Sequence, residues 1–386
     1  MPGDDGTWPA GFVGGGADRD ALLVLVSLPG LTPRRLRSLS MEVGGAEACL
    51  AAVRRGHPLV AKADRELAAL VKPADMLRRL GEVDARMAVV GEEDYPASLL
   101  DLPDPPVALF LRGSALASLG PGVAVVGARN CSALGAEVAE GFGRGLAAAG
   151  VCVLSGGARG IDSAAHRGAL AAGGPTLAVL GSGIDVAYPS RNRGLLDRIV
   201  RVGAVVSEYP PGVPAQPYRF PARNRIVAGM AEAVLVVEGA AGSGSLITAD
   251  HALDLGRPVF AVPGPVTSPL SETPLALIRD GAGMVRGVED LLEDLGRLDP
   301  RSGADSAADP ADREAAPAIR TASPPGLSEL ERRVLDTLSG PTLPEVVAAS
   351  VDRGLPEVLT AVVGLEVRGL VRTVGGRVER RLGGGR

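Results

Sequence analysis

The sequence predicts an α/β fold: a mostly parallel sheet covered by helices, with a helical bundle before it and a winged helix after it. Three observations carry this. Short apolar runs recur through the middle of the chain, nearly all ending in Gly or Ser; amphipathic helical patterns separate them; and both flanking segments keep helical spacing. A length of 386 residues leaves room for two or three domains. With 46% hydrophobic and 22% charged residues, the composition is that of a globular protein.

Residues 1–18 are rich in Gly and Asp and are expected to be disordered. Residues 19–85 have helical apolar spacing broken at "PGLTP", "GHP" and "KPAD", which predicts a small helical, SAM-like bundle. Within it, "LPGLTPRRLRSL" is similar to a helix-hairpin-helix turn that grips DNA backbone. Thr32 stands where that motif has its second glycine, so we read a plain bundle. "ALLVLVSL" is far shorter than the ~18 residues of a membrane span and reads as a core helix.

Residues 86–296 hold the sheet. "GVAVVGA" (122–128), "GVCVLSG" (150–156), "TLAVLG" (176–181), "AVLVVEG" (233–239) and "PVFAVPG" (258–264) are continuous apolar runs. Strands buried on both faces read this way, and a parallel sheet with helices on each side produces them. Its carboxyl-end turns are where such sheets bind ligands. Residues 297–325 are rich in Pro, Ala, Asp and Ser and predict a linker. In 326–386, three helical stretches and "VRTVGGRVERR" predict a winged helix.

Several chemistries are excluded. A Walker A loop needs Gly-Lys, and the only lysines are Lys62 and Lys72. The first turn runs Gly127-Ala128-Arg129-Asn130 without a complete G-x-G-x-x-G, and no acid follows the second strand, so no dinucleotide cofactor is expected. Cys49, Cys131 and Cys152 form no CxxC pair, and His57, His166 and His251 are scattered; neither a metal nor a disulfide is expected. That cysteine usage suits a reducing cytoplasm. Asp162 and His166 stand four apart on a predicted helix, and we read them as a local cap rather than an acid–base pair.

The positive signal is a set of sheet-end turns carrying a cation or bare amides: "GARN", "SGGARGID", "GSGID" followed by "YPSRNR", "SEYPPG", "YRFPARNR" and "GSGSLITA". Glycine lets backbone approach an anion, and the following helix N-terminus favours it. Arginine supplies all but two of the 40 basic residues, so Arg in place of Lys carries no weight. Clustering does: Tyr188, Tyr209, Tyr218 and Phe220 gather beside Arg219, Arg223 and Arg225, the aromatic-plus-cation pattern of single-strand binding. Arginines resist burial, which predicts that Phe220 lies at a surface rim. A net charge of −5 leaves room for such a local basic groove.

"VAVVGARNCSALG", "SGGARGIDSAAHRGAL", "LGSGIDVAYPSRNRGL", "SEYPPG", "FPARNRIVAG", "VVEGAAGSGSLITADHAL" and "GRPVFAVPG", in this order, resemble the DNA-processing protein DprA (Smf) family. The resemblance covers roughly 90–285 densely. It implies an extended Rossmann-like fold that binds single-stranded DNA without cleaving it. It further implies protection of incoming strands in natural transformation, loading of the RecA recombinase, and a cytoplasmic homodimer away from membranes. By motif, Arg129 is the phosphate-pocket arginine and Arg159 the basic residue of the second turn. The resemblance also makes Phe220 the base-stacking ring and Arg223 and Arg225, with Asn224 between them, the phosphate clamps at a helix start. Gly127, Gly156, Gly183, Ser243, Gly244 and Ser245 supply turns and amides. The sequence departs from the family pattern at Ala128, Gly157 and Thr273-Pro274. The competing reading is a nucleotide monophosphate phosphoribohydrolase resembling the cytokinin-activating (LOG) enzymes. It leans on Glu238-Gly239 followed by "GSGS", but the Pro-Gly-Gly-x-Gly-Thr signature of those enzymes is absent.

Overall fold

Alternating apolar strands and glycine-ended turns build one nine-stranded sheet. The computed structural model describes residues 8–13, 18–296, 327–338, 342–351, 353–368, 370–374 and 377–380. The chain forms two compact units, Met1–Pro300 and Arg301–Arg386.

The first unit opens with five short helices: α1 (Arg19–Leu25), α2 (Pro33–Val43), α3 (Ala46–Arg55), α4 (Lys62–Leu70) and α5 (Pro73–Glu82). The Asp18 carboxylate caps α1 by accepting from Ala21 N at 2.9 Å, and Thr32 with Pro33 starts α2. Between them, Gly30 N donates to the buried Asp64 carboxylate at 3.1 Å. The amide that a DNA-gripping hairpin would offer to a phosphate is therefore taken up by an acid of the same helical segment.

Nine strands follow: β1 (Ala85–Val89), β2 (Ala108–Gly113), β3 (Gly122–Val126), β4 (Cys152–Ser155), β5 (Thr176–Leu180), β6 (Ala204–Ser207), β7 (Ala233–Val236), β8 (Val259–Ala261) and β9 (Gly283–Met284). Their order is β1-β2-β6-β5-β4-β3-β7-β8-β9. β1–β2 and β2–β6 are antiparallel and the other pairs parallel. The five expected apolar runs are all strands. β1, β2, β6 and β9 extend the sheet beyond them.

The helices interleaved with these strands are α6 (Ala133–Ala148), α7 (Ile161–Ala171), α8 (Arg193–Val202), α9 (Arg219–Met230), α10 (Gly244–Asp254), α11 (Glu272–Arg279) and α12 (Val288–Asp294). They cover both faces. Along β3, Val123 and Val125 join one core with Phe142 and Ile161, while Ala124 and Val126 join the other with Val179 and Val227. This second core continues into the five-helix segment through Leu22, Leu36 and Phe110.

The expected disorder of 1–18 does not hold for residues 8–13. Trp8 and Phe12 are buried with ring centroids 5.3 Å apart, and Trp8 Nε1 donates to Pro105 O at 3.3 Å.

 Two large aromatic side chains pin this stretch by apolar burial. Residues 1–7, 14–17 and the expected linker at 297–325 lie outside the described residues. Among the described residues, no helix is long and apolar enough to cross a membrane.

The second unit holds α13 (Glu329–Thr337), α14 (Pro344–Val351) and α15 (Leu355–Val367), then the antiparallel pair β10 (Val371–Val374) and β11 (Arg377–Arg380). Ser328 and Glu331 form a reciprocal capping box at the start of α13. Val334, Val347, Val358, Leu365 and Val378 fill its core.

Candidate nucleic-acid interface

The strand order reverses at β3. The chain runs outward from β3 through β4 and β5 to β6, then returns to place β7 on the other side of β3. A crevice opens at the carboxyl ends of strands where such a sheet changes direction. Here it is a cavity of about 230 Å³, lined by Gly127, Arg129, Gly156, Arg223, Asn224 and the Ser243–Ser245 turn. Arg129 and Gly156 are shared with a second, more open cavity of about 480 Å³, whose other walls include Arg159, Tyr188, Arg191 and Phe220.

Close packing of the turns explains the glycines. A Cβ on Gly127 would lie 2.7 Å from Glu238 O and from the Ile161 side chain. The neighbouring Ala128 N donates to that same carbonyl at 2.7 Å, so the β3 and β7 turns are tied together. At Gly156 a Cβ would collide with the Arg223 guanidinium. In the second turn, the Gly156 and Ala158 amides donate to Asp162 Oδ2 at 3.1 and 3.3 Å. They are thus occupied by the protein's own carboxylate. Burial pushes the Asp162 carboxyl up, while Arg223 and these amides pull it down; the net direction is up.

Positive charge at the crevice mouth comes from Arg129 and Arg159, both exposed. Arg159 Nη2 donates to Asn130 Oδ1 at 2.8 Å. The Arg129 guanidinium carbon lies 5.0 Å from the centre of the Phe220 ring, and the Tyr188 ring packs beside Phe220 with centroids 5.1 Å apart. Phe220 is half-buried and Tyr188 exposed, but the reason expected for a rim position does not hold, because Arg219, Arg223 and Arg225 beside Phe220 are themselves buried. Tyr188 and Arg191 complete this surface; both lie in "YPSRNR", a sheet-end turn that the sequence singles out without assigning either residue a contact.

Ser243 Oγ accepts from Ser245 N at 3.4 Å, and Asn224 Nδ2 donates to Gly244 O at 3.0 Å. The turn thereby aims the start of α10 at the cavity, and Gly244 is exposed there.

Three expected site residues have other surroundings. Arg223 is only 4% exposed and donates through Nη1 to Gly156 O at 2.6 Å and to Val179 O. It is a strut of the cavity floor rather than a clamp at the rim. Burial lowers its pKa to about 10, which leaves it charged at neutral pH. Arg225, 6% exposed, does not reach this cavity; its Nη2 donates to Glu208 Oε1 at 2.7 Å and its Nε to Asp104 Oδ2 at 3.1 Å. Burial pulls its pKa down, and the two carboxylates outweigh that and raise it. α9 begins at Arg219, so both arginines lie within the helix rather than at its start. Gly183 lies against the 210–213 loop, where its N–H donates to Val213 O at 2.8 Å and a Cβ would approach Pro210 O to 2.7 Å.

Glu238, the acid on which the phosphoribohydrolase reading leans, accepts from Ser132 N at 2.8 Å and from Ser132 Oγ at 2.6 Å. Both oxygens are thereby engaged in fixing the start of α6. His166 bonds through Nδ1 to Thr176 Oγ1 at 2.7 Å, not to Asp162. Burial lowers its pKa to about 3, so it is neutral. Among the described residues, no group of His, Cys, Asp and Glu could hold a metal ion.

Known proteins resemble this chain in sequence and in fold. The model for DNA recombination-mediator protein A matches residues 86–296. Protein Smf of Escherichia coli is 41% identical over 294 residues, 75% of this chain and 76% of that protein. The X-ray structure of DNA processing protein A from Streptococcus pneumoniae superposes with a TM-score of 0.61 at 36% identity, covering 70% of this chain and 95% of that one. DNA processing protein A from Helicobacter pylori, whose structure concerns its single-stranded DNA binding mode, gives a TM-score of 0.51 at 26% identity, covering 55% of this chain and 96% of that one. By the family match across the sheet and the extent of these likenesses, the chain belongs to the DNA recombination-mediator protein A family.

Proposed function

We propose that this protein binds single-stranded DNA along the carboxyl ends of its sheet, without cutting it. The observation that carries this reading is the stack of Arg129, Phe220 and Tyr188 at the mouth of the crevice. Aromatic faces take bases and guanidinium groups take phosphates, a combination that tolerates any sequence. In this reading Arg129, Arg159 and the start of α10 hold phosphates, and Phe220 with Tyr188 stacks a base. Arg223 and Asn224 shape the floor and the turn. Arg225 is outside the phosphate-contacting set, because two carboxylates already neutralise it.

The family and the single-strand binding mode of the H. pylori relative support the reading. We extend it to strand protection and loading of the RecA recombinase, by a homodimer acting in the cytoplasm during transformation or recombination. We read the second unit as a winged helix that contacts protein. α15 exposes Leu359 and Val363, and the Arg368 guanidinium lies 3.8 Å from Glu331. An apolar helix face with its one cation beside an acid suits a protein partner better than a DNA groove. The side chains of Arg372, Arg377, Arg380 and Arg381 lie outside the described residues.

The test is a salt-dependent titration with single-stranded and duplex oligonucleotides. Affinity for the single strand should exceed that for duplex and fall steeply with salt. A folded Arg129→Glu, Phe220→Ala double variant that binds the single strand as well as the unaltered protein would overturn the reading.

A further inference from the structure

The seam between the α1–α2 hairpin and the start of α9 encloses a cavity of about 220 Å³ that the phosphate crevice does not use. Leu28, Leu31 and Leu36 form its apolar wall. Arg219, Tyr209 and Tyr218 line it too, with the Arg219 guanidinium carbon 4.7 Å from the centre of the Tyr209 ring and 5.6 Å from that of Tyr218. Rings and guanidinium planes of this kind are the surfaces on which unpaired bases stack.

Polar groups of both senses stand along the same cavity. Arg225 lines it, 6% exposed, with Nη1 lacking a hydrogen-bond partner among the described residues. The carboxylates of Asp104 and Glu208 line it too. A nucleobase edge carries acceptors and donors side by side, and the Arg225 ion pairs with Asp104 and Glu208 place groups of both senses at this wall. Size agrees: an apolar cavity of ~150 Å³ admits benzene, so this one admits a fused bicyclic ring.

Position connects it to the crevice. Tyr218, 65% exposed, immediately precedes α9, and Phe220 lies in the first turn of that helix. Phe220, Arg223 and Asn224 line the crevice cavities, whereas Arg219, Ala222 and Arg225 line the seam. A strand leaving the Phe220 stack across the start of α9 meets Tyr218 next.

We propose that the seam is a second base subsite, which takes one unpaired nucleobase of a bound single strand. This rests on the single-strand reading above. The substrate class is a planar heteroaromatic ring with both donor and acceptor edges. Arg219, Tyr209 and Tyr218 hold its face, and Arg225 with the adjoining carboxylates holds its edge.

Thymidine strands carrying one 2-aminopurine at successive positions test this by fluorescence. In the unaltered protein, two separated positions should change emission on binding. Ala222→Phe, which fills the seam, should abolish the change at one position, weaken binding roughly ten-fold and leave the salt slope intact. Phe220→Ala should abolish the other. Tyr218→Ala, at an exposed position, provides an independent variant with the same expected loss. Two-position changes that survive both Ala222→Phe and Tyr218→Ala would overturn the subsite, as would a single changed position in the unaltered protein. Titration with adenosine alone separates this from failure of the single-strand reading. If no strand binds, saturable adenosine binding that Ala222→Phe removes supports the subsite, and no binding overturns it.

Discussion

Arg223 and Arg225 stand two residues apart on α9 and serve opposite sides of it: Arg223 donates to Gly156 O at 2.6 Å, and Arg225 donates to Glu208 Oε1 at 2.7 Å. The first props the crevice floor and the second ties the helix to the start of the sheet.

Removal of either guanidinium should therefore cost stability. Arg225→Met leaves Glu208, with 13% side-chain exposure, without its cation and should cost about 3–5 kcal/mol. Arg223→Met leaves the Gly156 and Val179 carbonyls without their donor and removes the positive charge acting on the buried Asp162 carboxyl, with a loss of similar order. Arg129→Met, at an exposed position, should change stability by less than about 0.5 kcal/mol. Urea denaturation of the three variants measures the contrast.

Salt dependence should separate the same arginines. Arg129→Met removes a charge that meets phosphate, so the slope of log affinity against log salt should fall by about 0.7 for a single strand. Arg225→Met should leave that slope unchanged, because Asp104 and Glu208 already balance this charge. Titrations at several salt concentrations read both.

Phe220→Ala should weaken single-strand binding by about 1–3 kcal/mol. Because Arg129 also packs on the Phe220 ring, the two losses should not add. A double-mutant cycle should return a coupling of about 0.5–1 kcal/mol.

His166 should make stability pH-dependent on the acidic side. Its folded pKa of about 3 lies below the ordinary 6.5, so between these values the unfolded chain binds a proton that the folded chain refuses. The stability is fully present above pH 6.5 and is lost as pH falls towards 3, by a few kcal/mol. His166→Asn removes the titrating ring and should flatten the denaturation midpoint across this window, relative to the unaltered protein.

Much of the sheet was legible because buried parallel strands announce themselves as unbroken apolar runs ending in glycine. "GVAVVGA" became β3 and "TLAVLG" became β5 for that reason. β2, "ALFLRG", is equally apolar, but its antiparallel places beside β1 and β6 are set by partners far along the chain. β9 is two residues long and offers no pattern at all. In the site, Arg129, Arg159 and Phe220 come together at one cavity, as their turns suggested. Tyr188 and Arg191 lie in a turn that the sequence singles out, but its meeting with Phe220 is decided only in space.

Sequence alone determined the α/β architecture, the turns that meet at the reversal of strand order, and the aromatic and cationic residues placed there. Periodicity and turn chemistry are local properties, so they survive without a folded partner. Only the tertiary structure decided which arginines face which cavity. Once α9 starts at Arg219, positions 223 and 225 are separated by about 200° around its axis and cannot share one pocket. Which of the two meets backbone carbonyls and which meets Glu208 and Asp104 depends on residues more than 15 positions away, brought close by the fold.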